Sequence, residues 1–229
     1  MAQMKFRLDT VLTIVLSLSA LTTTALVVRR ELFPPPLASP SVKRPIFIKE
    51  FQSMLGAGVM FGPPNAPIKL IEFADFECPF CAGLHETLKS LRKHYPDQVS
   101  LTFVHFPLPG HRFALPAARV AECAGAQGRF EAMYDRLFDD QESLGLKPWS
   151  EYASNAGVVD LDLFEACIRK TDTVARIDSG KQLGTSLHVK ATPTLIINGW
   201  MLQEPPSSEE LDAMVKAVLA GKSPVDGKS

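Results

Sequence analysis

The sequence predicts an α/β fold in which a β-α-β unit and a later β-β-α unit flank a helical block of about 65 residues, 107–171. Three observations carry this. The apolar run Ile68 to Phe76 (IKLIEFADF) opens on the Gly62-Pro63-Pro64-Asn65-Ala66-Pro67 turn, as a buried strand does. From Ala82 to Tyr95, Leu84, Leu88, Leu91 and Tyr95 recur at helical spacing, and Pro96 ends the run. Much later, Thr194-Leu195-Ile196-Ile197 runs into Asn198-Gly199, a strand followed by a hairpin turn.

Taken in chain order, the first element is a 19-residue uncharged stretch from Thr10 to Val28, preceded by Lys5 and Arg7. It is longer than the ~7–15 residues of a signal-peptide core and close to the ~20 that span a bilayer. Its best cleavage candidate, Thr23-Thr24-Ala25, is weak, so residues 1–31 read as an uncleaved signal-anchor; a cleaved signal peptide is the alternative, because seven Ser and Thr dilute the run. Residues 32–61 read as a Pro-rich spacer and lead-in, with five prolines in LFPPPLASPSVKRP. The folded domain is expected over 62–221, and 222–229 as a tail.

Inside that domain, Val99 to Phe106 is the second strand, so strand, helix and strand form a parallel crossover. The block 107–171 reads as helical throughout. Pro116 opens one helix, Phe130, Met133, Tyr134, Leu137 and Phe138 make the apolar stripe of another, and Pro148 and Asp160 start two more. A further helix is expected from Thr173 to Leu187. After the late strand a short return runs from Trp200 to Leu202. Ser207-Ser208-Glu209-Glu210 is then a capping box for a last helix, with Leu211, Met214, Val215, Val218 and Leu219 on one face and Gly221 at its stop.

Composition excludes several classes of function. Among 229 residues, 46% are hydrophobic and 21% charged, which fits neither a disordered chain nor a polytopic membrane protein. Twenty-four basic against 25 acidic residues leave a net charge of -1, so no field draws nucleic acid. Four cysteines are too few for a disulfide-dense scaffold, so their spacing carries the information.

Cys78-Pro79-Phe80-Cys81 lies between a predicted strand and a predicted helix. Cys78 would then sit at a helix amino terminus, where free N–H groups and the dipole favour a thiolate nucleophile. One helical turn brings Cys81 within bonding reach, so the pair can cycle between dithiol and disulfide. A c-type haem site would need His after the second Cys, where Ala82 stands. A zinc site would need further ligands; Cys123 and Cys167 are isolated, and His85 alone does not complete a set. A permanently closed structural pair is the remaining alternative. Glu72, within the first apolar strand, is either a buried carboxyl or a solvated one facing an edge.

IEFADFECPFC, the later ATPTLIING and the helical block between them resemble the DsbA-like branch of the thioredoxin superfamily, exported thiol–disulfide oxidoreductases, over about residues 62–220. The resemblance implies a thioredoxin-like fold with an inserted helical domain. Carried over residue by residue, it makes Cys78 the exposed attacking cysteine and Cys81 its partially buried partner. Pro193, after Thr192, becomes a cis-proline that faces the pair and presents backbone groups to an extended substrate, with Pro79 and Phe80 beside it. Glu72 becomes the buried acid that trades a proton with Cys81, and Cys123 and Cys167 a second, structural disulfide; two separately buried thiols are the alternative. Phe80 replaces the histidine of strongly oxidising members, which implies a weaker oxidant.

The function expected is thus disulfide exchange with reduced or unfolded exported proteins, as an oxidase. A membrane or exported redox partner would reset the pair, and a monomer anchored through 10–28 would act at the periplasmic or extracytoplasmic face without cofactor or metal. A reductase or isomerase of the same fold, or a thiol-based metal-delivery or chaperone module, is the alternative. His94, His105, His111 and His188 share no spacing, although His111 and Phe113 follow the Pro107–Gly110 turn near the expected active face and could line a peptide groove.

Overall fold

The computed structural model describes residues 2–32 and 44–225, with side chains from residue 11 onward. Most of the Pro-rich spacer, 33–43, and the last residues of the tail, 226–229, lie outside the described residues. The chain divides into two units, Met1–Val42 and Lys43–Ser229.

In the first unit, helix α1 runs Ala2–Leu32. Its segment Val11–Leu32, 22 residues with an 18-residue window of mean hydropathy 2.2, is long and apolar enough to cross a membrane. Thr22, Thr23 and Thr24 each donate a hydroxyl hydrogen bond to the Ser19 or Ala20 carbonyl one turn back, so those polar groups are satisfied inside the helix.

The second unit is built on a six-stranded sheet of order β1-β6-β5-β3-β4-β2. The strands are β1 (Ile46–Phe47), β2 (Val59–Phe61), β3 (Ile68–Ala74), β4 (Val99–His105), β5 (Thr194–Ile197) and β6 (Trp200–Met201). β3 is central: it pairs parallel with β4 through Glu72↔Phe103 and antiparallel with β5 through Glu72↔Leu195. Helix α2 (Pro79–His94) makes the β3–α2–β4 crossover, and α8 (Ser208–Leu219) follows the β5–β6 hairpin. Asn198 and Gly199 turn that hairpin at φ 45° and 89°, the left-handed pair that a two-residue turn demands.

β1, β2 and the 3-10 helix Phe51–Ala57 between them fall in the stretch read from sequence as spacer and lead-in. Strands of two and three residues are too short to display a period, and they are held by pairing, Ile46↔Met201 and Val59↔Phe103. β3 ends at Ala74, short of Phe76, because Asp75 opens the turn into α2.

The block 107–171 is not helical throughout. Residues 107–113 form a loop, followed by α3 (Ala114–Gly125), α4 (Phe130–Asp139), α5 (Trp149–Asn155) and α6 (Leu161–Ile168). Pro116 lies inside the first turn of α3 rather than at its start. Asp160 caps α6, accepting from Leu163 N at 2.8 Å, and Ser207 with Glu210 closes the capping box of α8.

Burial alternates across β3. Ile68 and Leu70 join Leu84, Leu88, Phe103, Tyr134 and Val215 in the larger core, while Ile71 and Phe73 pack with Val104 and Ile196 on the other face. Helix α7 (Ala175–Ser186) covers that second face so closely that a Cβ on Gly180 would stand 2.4 Å from the His105 carbonyl oxygen. Cys123 on α3 is disulfide-bonded to Cys167 on α6, with Cα atoms 5.8 Å apart, tying the insertion to itself.

Candidate active site

β3, its following turn and α2 deliver the cysteine pair. Cys78 is the N-cap of α2, with Pro79 in its first turn, where the missing proline N–H costs nothing. The Cys78 carbonyl accepts from Cys81 N at 3.0 Å and Ala82 N at 3.2 Å, so both cysteines are fixed by the first helical turn. Both are free thiols. Cys81 is fully buried, and Cys78 keeps only 4% of its surface, less than the exposed position the sequence implies. The chain around Thr192 covers it: the Cys78 thiol donates to the Thr192 carbonyl at 3.2 Å across 114 positions. The Thr192–Pro193 peptide is cis.

The two sulfurs are driven apart in acidity. A hydrogen bond from the Cys81 thiol is the chief cause that lowers Cys78 from 9.0 to about 5; Thr192 and the Cys81 and Phe80 N–H groups add to it against partial burial. The Thr192 hydroxyl is buried with no other partner and so is available to that thiolate. Cys81 is pushed far up by burial, by its bond to Cys78 and by the nearby Glu72 charge. One sulfur is ready to attack or leave as an anion at neutral pH, and the other must take a proton when it leaves.

Glu72 sits in the middle of β3 with no exposed surface, flanked by strands on both sides rather than facing an edge. Burial raises its carboxyl from 4.5 to about 8, a hydrogen bond from Tyr134 opposes this, and the Cys78 thiolate adds to it. Tyr134 donates its hydroxyl to Glu72 Oε2 at 3.3 Å, and Glu72 Oε1 has no partner. The acid is therefore protonated near neutrality beside the two sulfurs.

A groove of about 720 Å³ opens beside the pair, lined by Phe80, Ile46, the 187–194 segment and the 201–205 segment. Phe80, 74% exposed, stands at its mouth. Thr192, Pro193 and Leu202 are among the residues that line it. His111 and Phe113 are not among its lining residues. His111 Nδ1 instead pairs with Asp75 Oδ2 at 2.7 Å, and Phe113 N donates to the Glu77 carboxylate.

Those contacts belong to a clamp that sequence reasoning missed. Asp75 Oδ1 accepts from Glu77 N and Oδ2 from Leu108 N, both at 2.8 Å, while the Asp75 carbonyl accepts from Cys78 N at 3.1 Å. From the insertion, Gln141 Nε2 donates to the carbonyls of Phe76 at 2.7 Å and Cys78 at 3.0 Å. The loop 107–113 and the insertion thus hold the segment carrying Cys78. Asp75 and Glu77 stand just before the motif in ADFEC, which is a usable signal, whereas nothing near Gln141 marks it.

With this geometry in view, the thioredoxin family model matches residues 55–217. The chain belongs to the thioredoxin family. Its fold is that of the DsbA-like thiol–disulfide oxidoreductases: oxidised BdbD of Bacillus subtilis superposes with a TM-score of 0.64 at 18% identity, covering 78% of this chain and 97% of that one. The α-DsbA1 of Wolbachia pipientis superposes with a TM-score of 0.61 at 22% identity, covering 71% and 90% of the two chains. A curated relative, Na(+)/H(+) antiporter NhaA 1 of Mycolicibacterium gilvum, is 34% identical over 164 residues, which are 70% of this chain and 26% of that protein. The chain therefore spans about a quarter of the length of the curated relatives it matches, and the likeness concerns that part alone.

Proposed function

We propose that this chain exchanges disulfides with exported protein substrates through Cys78 and Cys81, with net oxidation of the substrate. The observation that carries the reading is the pairing of a Cys78 thiol lowered to about 5 with a Cys81 thiol raised by burial, beside a groove that Pro193 helps to line. In the oxidised form a substrate thiolate attacks Cys78 Sγ, the Cys78–Cys81 bond breaks, and Cys81 leaves with the bonding pair. Protonated Glu72 supplies the proton that Cys81 requires. A second substrate thiolate then attacks the substrate sulfur of the mixed disulfide and expels Cys78 as a thiolate. Two electrons pass from the substrate dithiol to the protein pair, and a redox partner must remove them. A stabilised Cys78 thiolate favours the reduced form of the pair, which is what makes a disulfide donor.

Phe80 and the groove supply apolar contact, and the backbone around Thr192 and Pro193 supplies extended pairing, which together suit unfolded chains of varied sequence. Helix α1 serves as a signal-anchor that holds the domain at the extracytoplasmic face. Its length and hydropathy support this reading, and so does a second disulfide, which belongs to an oxidising compartment.

Alkylation with a mass tag in the native membrane tests the direction. The reading predicts that Cys78 and Cys81 are mostly disulfide-bonded at steady state; a mostly dithiol pair would assign the chain to reduction or isomerisation.

A further inference from the structure

We propose that His85 with the carboxylates of Glu86 and Asp139 forms a binding site for a divalent transition-metal cation of the zinc type, at the joint between α2 and α4 and outside the cysteine pair. His85 lies one helical turn beyond Cys81. Its side chain is 1% exposed and its ring is wedged against Tyr134, edge-on at 4.8 Å, and Phe138, stacked at 5.1 Å. Neither ring nitrogen has a hydrogen-bond partner among the described residues. A buried imidazole without a partner is costly, which is the first sign that a ligand belongs there.

The second sign is where the ring points. Nε2 faces Asp135 Oδ1 at 3.5 Å, Asp139 Oδ1 at 3.7 Å and Glu86 Oε1 at 4.0 Å. The donor atoms of His85, Glu86 and Asp139 all lie within 4.8 Å of one another. These separations exceed a good hydrogen bond; the Asp139 distance is near that of two ligands sharing an ion, and the exposed Glu86 side chain would have to move in by about half an ångström. With metal–ligand bonds of about 2.0–2.2 Å and a tetrahedral angle, nitrogen and oxygen stand about 3.4 Å apart. One imidazole with carboxylate oxygens is a donor set for zinc-type ions rather than for calcium, which takes oxygen alone.

Access and competition are both visible. The carboxylates are reachable, with Glu86 68% and Asp139 30% exposed, whereas the imidazole behind them is not. Lys89 Nζ pairs with Asp139 Oδ1 at 3.2 Å and occupies the acidic mouth; it is 44% exposed on a flexible stem and would swing aside for a metal. From sequence, His85 counts only as a possible extra ligand for a zinc site at the cysteine pair, a set that it does not complete. Glu86 adjoins His85 on α2, whereas Asp139 comes from α4, far along the chain. A bound ion would tie the helix that carries Cys81 to the inserted helices.

The test uses the full chain in detergent with Cys78 and Cys81 oxidised, so that neither sulfur is a ligand, and titrates Zn²⁺ against a chromophoric chelator. One equivalent should bind. Asp139→Asn and Glu86→Gln, at surface positions that leave the fold intact, should each weaken binding at least tenfold, and His85→Gln should abolish it. Lys89→Ala should tighten binding severalfold. Absence of stoichiometric binding to the oxidised chain, or binding unchanged in Asp139→Asn and Glu86→Gln, would overturn the proposal. Exchange activity does not enter the readout, so failure here and failure of the proposed function are distinguishable.

Discussion

The Tyr134 hydroxyl, from the inserted helix α4, donates to the Glu72 carboxylate in the central strand at 3.3 Å. It is the one hydrogen bond found on that carboxyl among the described residues, because Oε1 is unpartnered. The insertion therefore reaches the acid beneath the cysteines. Tyr134→Phe removes an interaction that lowers the Glu72 pKa, so its titration should move above about 8. Carbon-13 NMR of the Glu72 carboxyl reads this directly, and an unmoved midpoint would detach Tyr134 from the site. The variant should also lose about 1–3 kcal/mol of stability by chemical denaturation, the cost of leaving a buried acceptor unmade.

Cys78 links redox state to pH. Its folded pKa, about 5, lies below its ordinary 9.0, so its contribution to stability is full above pH 9.0 and is lost as pH falls through 5. Only the dithiol form contains this group. The melting temperature of the reduced protein, measured relative to the disulfide form, should rise from pH 5 toward 9, and a gap independent of pH would contradict the assigned acidity. Glu72 acts in the opposite sense, and burial, the chief cause of its shift, is common to both forms. With its folded pKa raised to about 8, its contribution is full below 4.5 and lost as pH rises through 8. Taking the difference between the two redox forms largely removes it.

Much of this architecture was legible in the sequence. β3, α2, β4, β5 and α8 announce themselves because each spans enough residues to show a period or a cap. β1 and β2 do not, because they exist only through pairing with β6 and β4. The site divides along the same line. Cys78, Cys81 and Pro193 lie in local motifs, whereas Gln141 reaches Cys78 across 63 positions and leaves no local trace. Tyr134 was visible only as part of an apolar stripe; its ring does serve the core, and its hydroxyl does something the periodicity cannot report. His111 was drawn toward the groove by its turn, but Asp75 claims it.

The Cys123–Cys167 disulfide should be structural. Its 44-residue separation corresponds to about 4 kcal/mol on the chain-entropy model. A Cys123→Ala/Cys167→Ala variant should lose stability of that order in urea unfolding while the Cys78 alkylation rate against pH stays in place. A shifted alkylation profile would mean that the insertion tunes the pair through this bond.

Phe80 should act on binding alone. With 74% of its surface exposed at the groove, it can meet a substrate without supporting the fold. Phe80→Ala should raise KM for a reduced peptide substrate severalfold, consistent with about 1–2 kcal/mol of lost apolar contact, and leave the Cys78 titration where it was. A fall in kcat at constant KM would place Phe80 in the chemistry instead.

The account rests most heavily on Cys78 as the sulfur that meets substrate and Cys81 as the buried one that leaves it and can re-form the Cys78–Cys81 bond. In Cys81→Ala the lone Cys78 thiolate attacks disulfides of already oxidised exported proteins, expelling one of their thiolates, and with no Cys81 to displace it should accumulate mixed disulfides that migrate as adducts on non-reducing gels and collapse with reductant, whereas Cys78→Ser should form none and catalyse no disulfide formation in a reduced test protein. Adducts carried by Cys81 in Cys78→Ser, or disulfide formation surviving in that variant, would contradict it.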